Sequence, residues 1–322
     1  HLHGHCLDIE TEVLTERGFL RKNDIKRSDK IATFNMENQS IEYQNYSEMH
    51  EYRGNHKMIS YDGKSVSLCV TDKHRVVIKN KEIYKVKLAD EVKHITSIPV
   101  CGENTKPDYP ITDDMLKLYL HIATDGSFEN SNLVRFHFKK ERKIRELTEL
   151  LGRMGIKYSI NPSKTGTVKI NFSIPCDLAG LNIKPLDRSL IMGLSSRQVH
   201  ILVDTYAITD GCKNGKSSYQ FSTAKECEAN LLQEVLVTSG YCCNMLKRVR
   251  GKYTGYVLSV NTRKVSTFNA KTTKHEIEGV VWCLTVPNST LVVRRKGKCH
   301  ITGNCHSSYK VEQGKILDVG ID

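Results

Sequence analysis

The sequence predicts an all-β domain split in two by an inserted domain of mixed α and β character. Three observations carry this. Residues 6 to about 100, and again 265–304, read as short β-branched strands bounded by Gly, Asp and Asn. Between them the hydrophobic period changes from two to that of amphipathic helices. The intervening stretch also repeats itself, with a helix ending in Thr124-Asp125-Gly126 and another ending in Thr209-Asp210-Gly211, roughly 85 residues further on.

The elements follow in order. Strands are expected at 11–15, 30–34, 65–70 and 75–78, and Gly102 to Pro110, with two prolines, reads as a linker. A helix over 112–123 leads to the first Thr-Asp-Gly, a strand covers 133–138, and 140–154 is an amphipathic helix with Ile144, Leu147, Leu150, Leu151 and Met154 on one side. A hairpin follows at 158–160 and 168–172. The second half repeats the order, with helices at 196–208 and 224–237 and strands at 219–221, 243–249 and 256–260. Strand character returns at 280–286 and 290–293.

The chain has 322 residues, enough for about two domains. Lys and Arg outnumber Asp and Glu by 48 to 36, a net charge of +12 that suits a polyanionic partner, nucleic acid being the commonest. The 11 cysteines are odd in number and contain no C-x-x-C pair. That argues against a disulfide framework or a zinc site and for a reducing, cytoplasmic compartment. No apolar run approaches a membrane span, so no membrane partner is expected.

The ends of the all-β part carry the chemistry. Cys6 follows His5, and the far end reads Ile301-Thr302-Gly303-Asn304-Cys305-His306. A thiol opens the segment 6–304, an Asn closes it, and a second thiol follows. Cys6 can exchange the His5–Cys6 amide for a thioester, Cys305 can take over the acyl group, and Asn304 can cyclise onto its own carbonyl and release the segment. A thiol needs activation at neutral pH, and His74 is the candidate base, with Thr71 holding the amide.

On these residues the chain resembles an intein. Cys6-Leu7-Asp8 with Thr11-Glu12-Val13-Leu14 resembles the family's first block, Val70-Thr71-Asp72-Lys73-His74 its T-x-x-H block, and the stretches 281–286 and 301–305 its last two. The resemblance implies a Hedgehog/intein (Hint) splicing domain in two parts, 6–105 and 263–304, and no cofactor for splicing. Three positions depart from the family pattern. Gly303 stands where the residue before the terminal Asn is usually His, Cys283 where Asp is usual, and Ser289 near a usual His. His300 is a candidate substitute imidazole. Cys283 is either an auxiliary thiol or a small buried residue. A variant class begins with an internal Cys and also needs a Trp, but Val76 holds that position and Cys6 is present, so the route through Cys6 is preferred.

The insert, 106–262, resembles the two-repeat LAGLIDADG homing endonucleases through its two Thr-Asp-Gly helix ends. That resemblance implies an α+β domain, double-stranded DNA of the uninterrupted host gene as partner, and Asp125 and Asp210 as paired Mg²⁺ ligands. Either Asp alone reads as helix capping before Gly; the matched pair favours the metal role. Lys169 is the candidate basic residue near the metal. The flanks, 1–5 and 305–322, join as Gly4-His5-Cys305-His306, which resembles a metal-ligand motif of calcineurin-like metallophosphoesterases, with His5 and His306 as host ligands after splicing. The expected protein is therefore a monomeric self-splicing element acting on its own flanks in cis and carrying a DNA endonuclease. The alternatives are an element whose nuclease has decayed to a DNA-binding module, and a Hedgehog-like autocleaving domain, against which Asn304-Cys305 argues.

Overall fold

A computed structural model describes residues 5–92, 96–130, 132–162, 166–268, 272–304, 309–312 and 315–318. The chain divides into two compact units. One comprises His1–Thr105, Leu236–Leu246 and Asn261–Asp322, and the other Lys106–Val235 and Lys247–Val260.

The first unit is built from strands. Leu7–Asp8, Thr272–Thr285, Glu48–Asp62 and Ser67–Thr71 close into a barrel. Its backbone is one long antiparallel ladder, from Thr272 opposite Tyr61 to Thr285 opposite Glu48. The first and last parts of the chain thus share one sheet, and Leu7 lies opposite both Val70 and Trp282. Trp282, Tyr61, Met58, Ile59 and Leu7 fill the core, where full burial of each large apolar side chain stabilises by about 1.5–3 kcal/mol. Strand Ser67–Thr71 is buried along its whole length, which explains its continuous apolar run rather than an alternating one.

The hairpin Thr290–Arg295 to Lys298–Gly303 turns at Lys296-Gly297, both at positive φ (49° and 73°), the two-residue geometry that matches strand twist. This turn fixes the register that delivers Asn304. Arg295 reaches Asp8 at 2.9 Å and Arg294 reaches Glu12 at 2.6 Å, so the last hairpin is tied to the first strands by largely buried ion pairs.

The expected boundaries need one correction: the stretch 106–262 is not a single inserted run. Leu236–Leu246 belongs to the first unit. Gly102 N–H donates to Val237 O at 3.1 Å, Gly240 N–H donates to Gly102 O at 2.9 Å, and Met245 N–H donates to Gly297 O at 2.8 Å. Asn244 faces Lys298 across an antiparallel pair. The change of unit occurs inside the helix Glu226–Val237 and the strand Cys242–Arg250, without the Pro or Gly that marks a linker.

The second unit shows the repeat. Helix Asp113–Asp125 starts at Thr112, whose hydroxyl accepts from Met115 N–H, and helix Ser196–Ile208 starts with a full capping box of Ser195 and Gln198. After the first helix the sheet order is Ser127–Phe128, Leu133–Phe138, Val168–Ser173, Tyr158–Pro162. The second half arranges Gly211–Lys213, Ser218–Thr223, Tyr253–Asn261 and Cys242–Arg250 in the matching order. Val134, Phe136, Phe138, Ile170 and Phe172 point inward, while His137 and Lys169 lie on the exposed face.

Candidate functional site

The first cluster surrounds the His5–Cys6 peptide. Cys6 precedes the strand Leu7–Asp8, so the ladder that pairs Leu7 with Val70 continues to Thr71. Cys6 N–H donates to Thr71 Oγ1 at 2.9 Å, and Thr71 N–H donates to Cys6 O at 3.0 Å. The turn is closed by His74 N–H donating to Thr71 O at 3.0 Å. His5 Nδ1 lies 2.6 Å from Lys73 O, so the turn 71–74 grips both residues of the peptide.

His74 is fully buried. Its Nε2 lies 2.7 Å from Thr302 Oγ1. Burial pushes its pKa down to about 3, opposed by the backbone of His5, which lies against the ring. The imidazole is therefore neutral at neutral pH. Thr302 was not anticipated from sequence; the only signal was a hydroxyl two residues before Asn304. Thr302→Val should slow thiol-induced cleavage at His5–Cys6 about tenfold, the worth of one buried hydrogen bond, with Thr302→Ser restoring the rate. Equal rates in all three proteins would dismiss the role.

Cys101 is pushed up to about 12 and Cys242 up to about 11 by desolvation, which leaves them poor nucleophiles. Cys283 is buried in the long strand, next to Trp282, which pairs with Leu7.

Asn304 closes the same unit. Its N–H donates to Ser289 O at 3.1 Å and its Nδ2 donates to Val286 O at 3.2 Å, while its Oδ1 has no partner among the described residues. Ser289, at φ 56°, acts here through its backbone. His300 is buried, both ring nitrogens lack a partner among the described residues, and burial lowers its pKa to about 3. It shares a strand face with Thr302, and no hydrogen bond joins it to Asn304 among the described residues. Cys305 and His306 lie outside the described residues.

Gly303 takes on a different meaning from a missing imidazole. A Cβ there would come 2.5 Å from Arg75 O and 2.7 Å from Arg75 Cβ. Only a residue without a side chain lets this strand lie against the backbone that follows His74. Gly303→His should therefore slow release after Asn304 and lower stability by about 1–3 kcal/mol, the usual cost of overpacking. A faster release at unchanged melting temperature would refute this steric account.

The second cluster lies in the other unit. Asp125 ends the first signature helix, and Asp210 follows the end of the second. Gly126 has φ −73°, so it is not a left-handed helix cap; a Cβ there would meet Ile122 O at 2.8 Å. A Cβ on Gly211 would meet Gln220 O at 2.7 Å. Both glycines are needed for close backbone approach where helix passes into strand, which places each Asp at a matched junction.

The carboxyl of Asp210 is raised above its ordinary range, first by partial desolvation and then by the charge of Asp125. Lys143 Nζ lies 2.7 Å from both Asp125 oxygens, and Lys184 Nζ donates to Gly126 O at 2.5 Å. Buried His121 sits nearby, its pKa lowered to about 4 by burial and opposed by Asp125. The lysines beside the carboxylates are thus Lys143 and Lys184. Lys169 is on the exposed sheet face opposite His137 and Asn161, and no ion pair joins it to Asp125 or Asp210 among the described residues. Two mutually repelling carboxylates fit a hard divalent cation that keeps several waters. Among the described residues there is no group of three His, Cys, Asp or Glu side chains able to hold one.

No family profile matches the chain. A curated relative, the ribonucleoside-diphosphate reductase subunit beta of Aquifex aeolicus (strain VF5), is 22% identical over 94% of this chain and 50% of its own length. The chain thus spans half the length of the curated relative that it matches. Among solved structures, a splice-inactive variant of the AceL NrdHF class 3 split intein covers 93% of this chain and 98% of its own, at 10% identity and a TM-score of 0.36. The I-DmoI homing endonuclease in complex with its target DNA covers 46% of this chain and 87% of its own, at 15% identity and a TM-score of 0.36. These TM-scores are below the level at which two chains share a fold, so the function is read from the sites themselves.

Proposed function

We propose that the chain is a self-splicing element that removes residues 6–304 and joins His5 to Cys305, and that it carries a DNA endonuclease in its second unit. One observation supports the splicing reading above the rest. A single turn, Thr71–His74, touches both ends of the removable segment: Thr71 holds the Cys6 amide, and His74 meets Thr302, two residues before Asn304.

The steps follow from these groups. His74 Nδ1 takes the Cys6 thiol proton, Sγ attacks the His5 carbonyl carbon, and the amide bond breaks as the nitrogen regains a proton. Thr71 holds that nitrogen throughout. The Cys305 thiol then displaces Cys6 from the thioester. Asn304 Nδ2, already oriented by Val286 O, attacks its own carbonyl carbon and frees the Cys305 amine, which reclaims the acyl group. A second reading has Cys283 make the first attack, supported by its place beside Trp282, the partner of Leu7. Mass spectrometry of the expressed chain tests the proposal through the joined flank peptide.

In the second unit, Asp125 and Asp210 would hold Mg²⁺, which supplies Lewis acidity and activates water for phosphodiester cleavage. Arg135 and Lys169 share the outward sheet face in one half, and Arg248 and Arg250 share one face of an exposed strand end in the other, cations suited to DNA phosphates. The host gene without the element is the proposed target, and the reducing cytoplasm the proposed compartment. A calcineurin-like host remains a proposal on Gly4-His5-Cys305-His306.

A further inference from the structure

We infer that Lys143 is the resident counter-cation of the carboxylate site, and that a divalent metal ion must displace it from Asp125 to bind. This rests on the reading of Asp125 and Asp210 as metal ligands. The geometry argues for a specific placement. Lys143 bridges both Asp125 oxygens at 2.7 Å, with the two side chains only 12% and 17% exposed. Its ammonium also stands 5.8 Å from the centre of the Phe138 ring, so it is held on two sides.

Helix stability does not explain the residue. Lys143 lies in the first turn of the helix Glu141–Arg153, where the helix dipole disfavours a cation, and the N-cap Lys140 offers no side-chain hydrogen bond. The favourable interaction that offsets this position is the one with Asp125. Asp210 also feels Lys143, and Lys184 adds a second positive charge at the same junction. With Glu228 and Lys225 also acting there, three carboxylates face three ammonium groups, and the charges nearly balance. A metal ion entering it gains the carboxylates but must first break an established ion pair, so its affinity is set by Lys143 as much as by the aspartates.

The test is calorimetric titration of Mg²⁺, and of Ca²⁺ as a probe that does not support turnover, into the full chain kept intact by Cys6→Ala and Asn304→Ala. Lys143→Met in that background should bind either ion about tenfold more tightly, the equivalent of one partly buried ion pair. Lys143→Gln is the second variant, and thermal melts establish that both fold. Asp125→Asn should abolish binding with or without Lys143. Metal binding that depends on Asp125 but is unchanged or weakened in both Lys143 variants would overturn the inference while leaving the metal-site reading standing. Binding that ignores Asp125→Asn, or no binding by any folded variant, would remove the metal-site reading and the inference with it.

Discussion

Expression of the 322-residue chain should yield the excised segment 6–304 and a peptide in which His5 runs directly into Cys305. Cys6→Ala should abolish that ligated peptide, because the thioester cannot form without the thiol that Thr71 holds at the scissile nitrogen. Cleavage after Asn304 can continue slowly in this variant, since Asn cyclisation needs only Asn304 and its neighbours Val286 and Ser289. Asn304→Ala should do the reverse, stopping C-terminal release and accumulating thiol-sensitive thioester or branched species. His74→Ala should slow the first step by about a hundredfold or more, the typical contribution of a positioned base. Intact-mass measurement separates all of these products. Efficient ligation by Cys6→Ala would transfer the first attack to Cys283, and Cys283→Ala would then be the variant that fails.

The second large effect concerns DNA. Plasmid bearing the uninterrupted host junction should be cut in both strands when Mg²⁺ is present and left intact when it is chelated. Asp125→Asn or Asp210→Asn should lower cutting by about a thousandfold, since each removes one of two carboxylates expected to place the ion, an interaction worth several kcal/mol. DNA affinity should change little, because phosphate contacts from the sheet-face cations supply most of it. Splicing should be unaffected, as its residues lie in the other unit. Binding without cutting by the unmutated chain would favour a decayed nuclease. Loss of splicing on Asp125→Asn would contradict the separation of the two chemistries.

Much of this was legible in the sequence because the chemistry is written in chain order. Cys6, Asn304 and Cys305 are adjacent to the bonds they are proposed to break, and Thr71 and His74 share one short turn. The helices were readable from period and caps, as at Ser195 and Gln198. What sequence hid was contact across long separations. The meeting of Thr302 with His74 depends on two strands more than two hundred positions apart packing together, and neither carries a local mark of it. Gly303 read as a lost imidazole because sequence shows which side chain is absent, not the backbone of Arg75 that fills the space. Lys169 stands out in sequence by its position on a strand, whereas Lys143 reaches Asp125 from the start of a helix, where the helix dipole disfavours a cation.

The stretch Leu236–Leu246 has a practical consequence for anyone wishing to shrink this protein into a tool. A natural shortcut would delete everything between the linker at 102–110 and the strand Val265–Phe268 and bridge the gap with a flexible loop. That cut would discard the acceptor for Gly102 and the partners of Gly297 and Lys298, exposing the edge of the hairpin that delivers Asn304. A compact version should instead keep Leu236–Leu246 as an island, joined by two short tethers in place of the one that a sequence alignment would suggest. Although it falls within the span a cut by sequence would remove, the segment belongs to the first unit, and trimming must spare it.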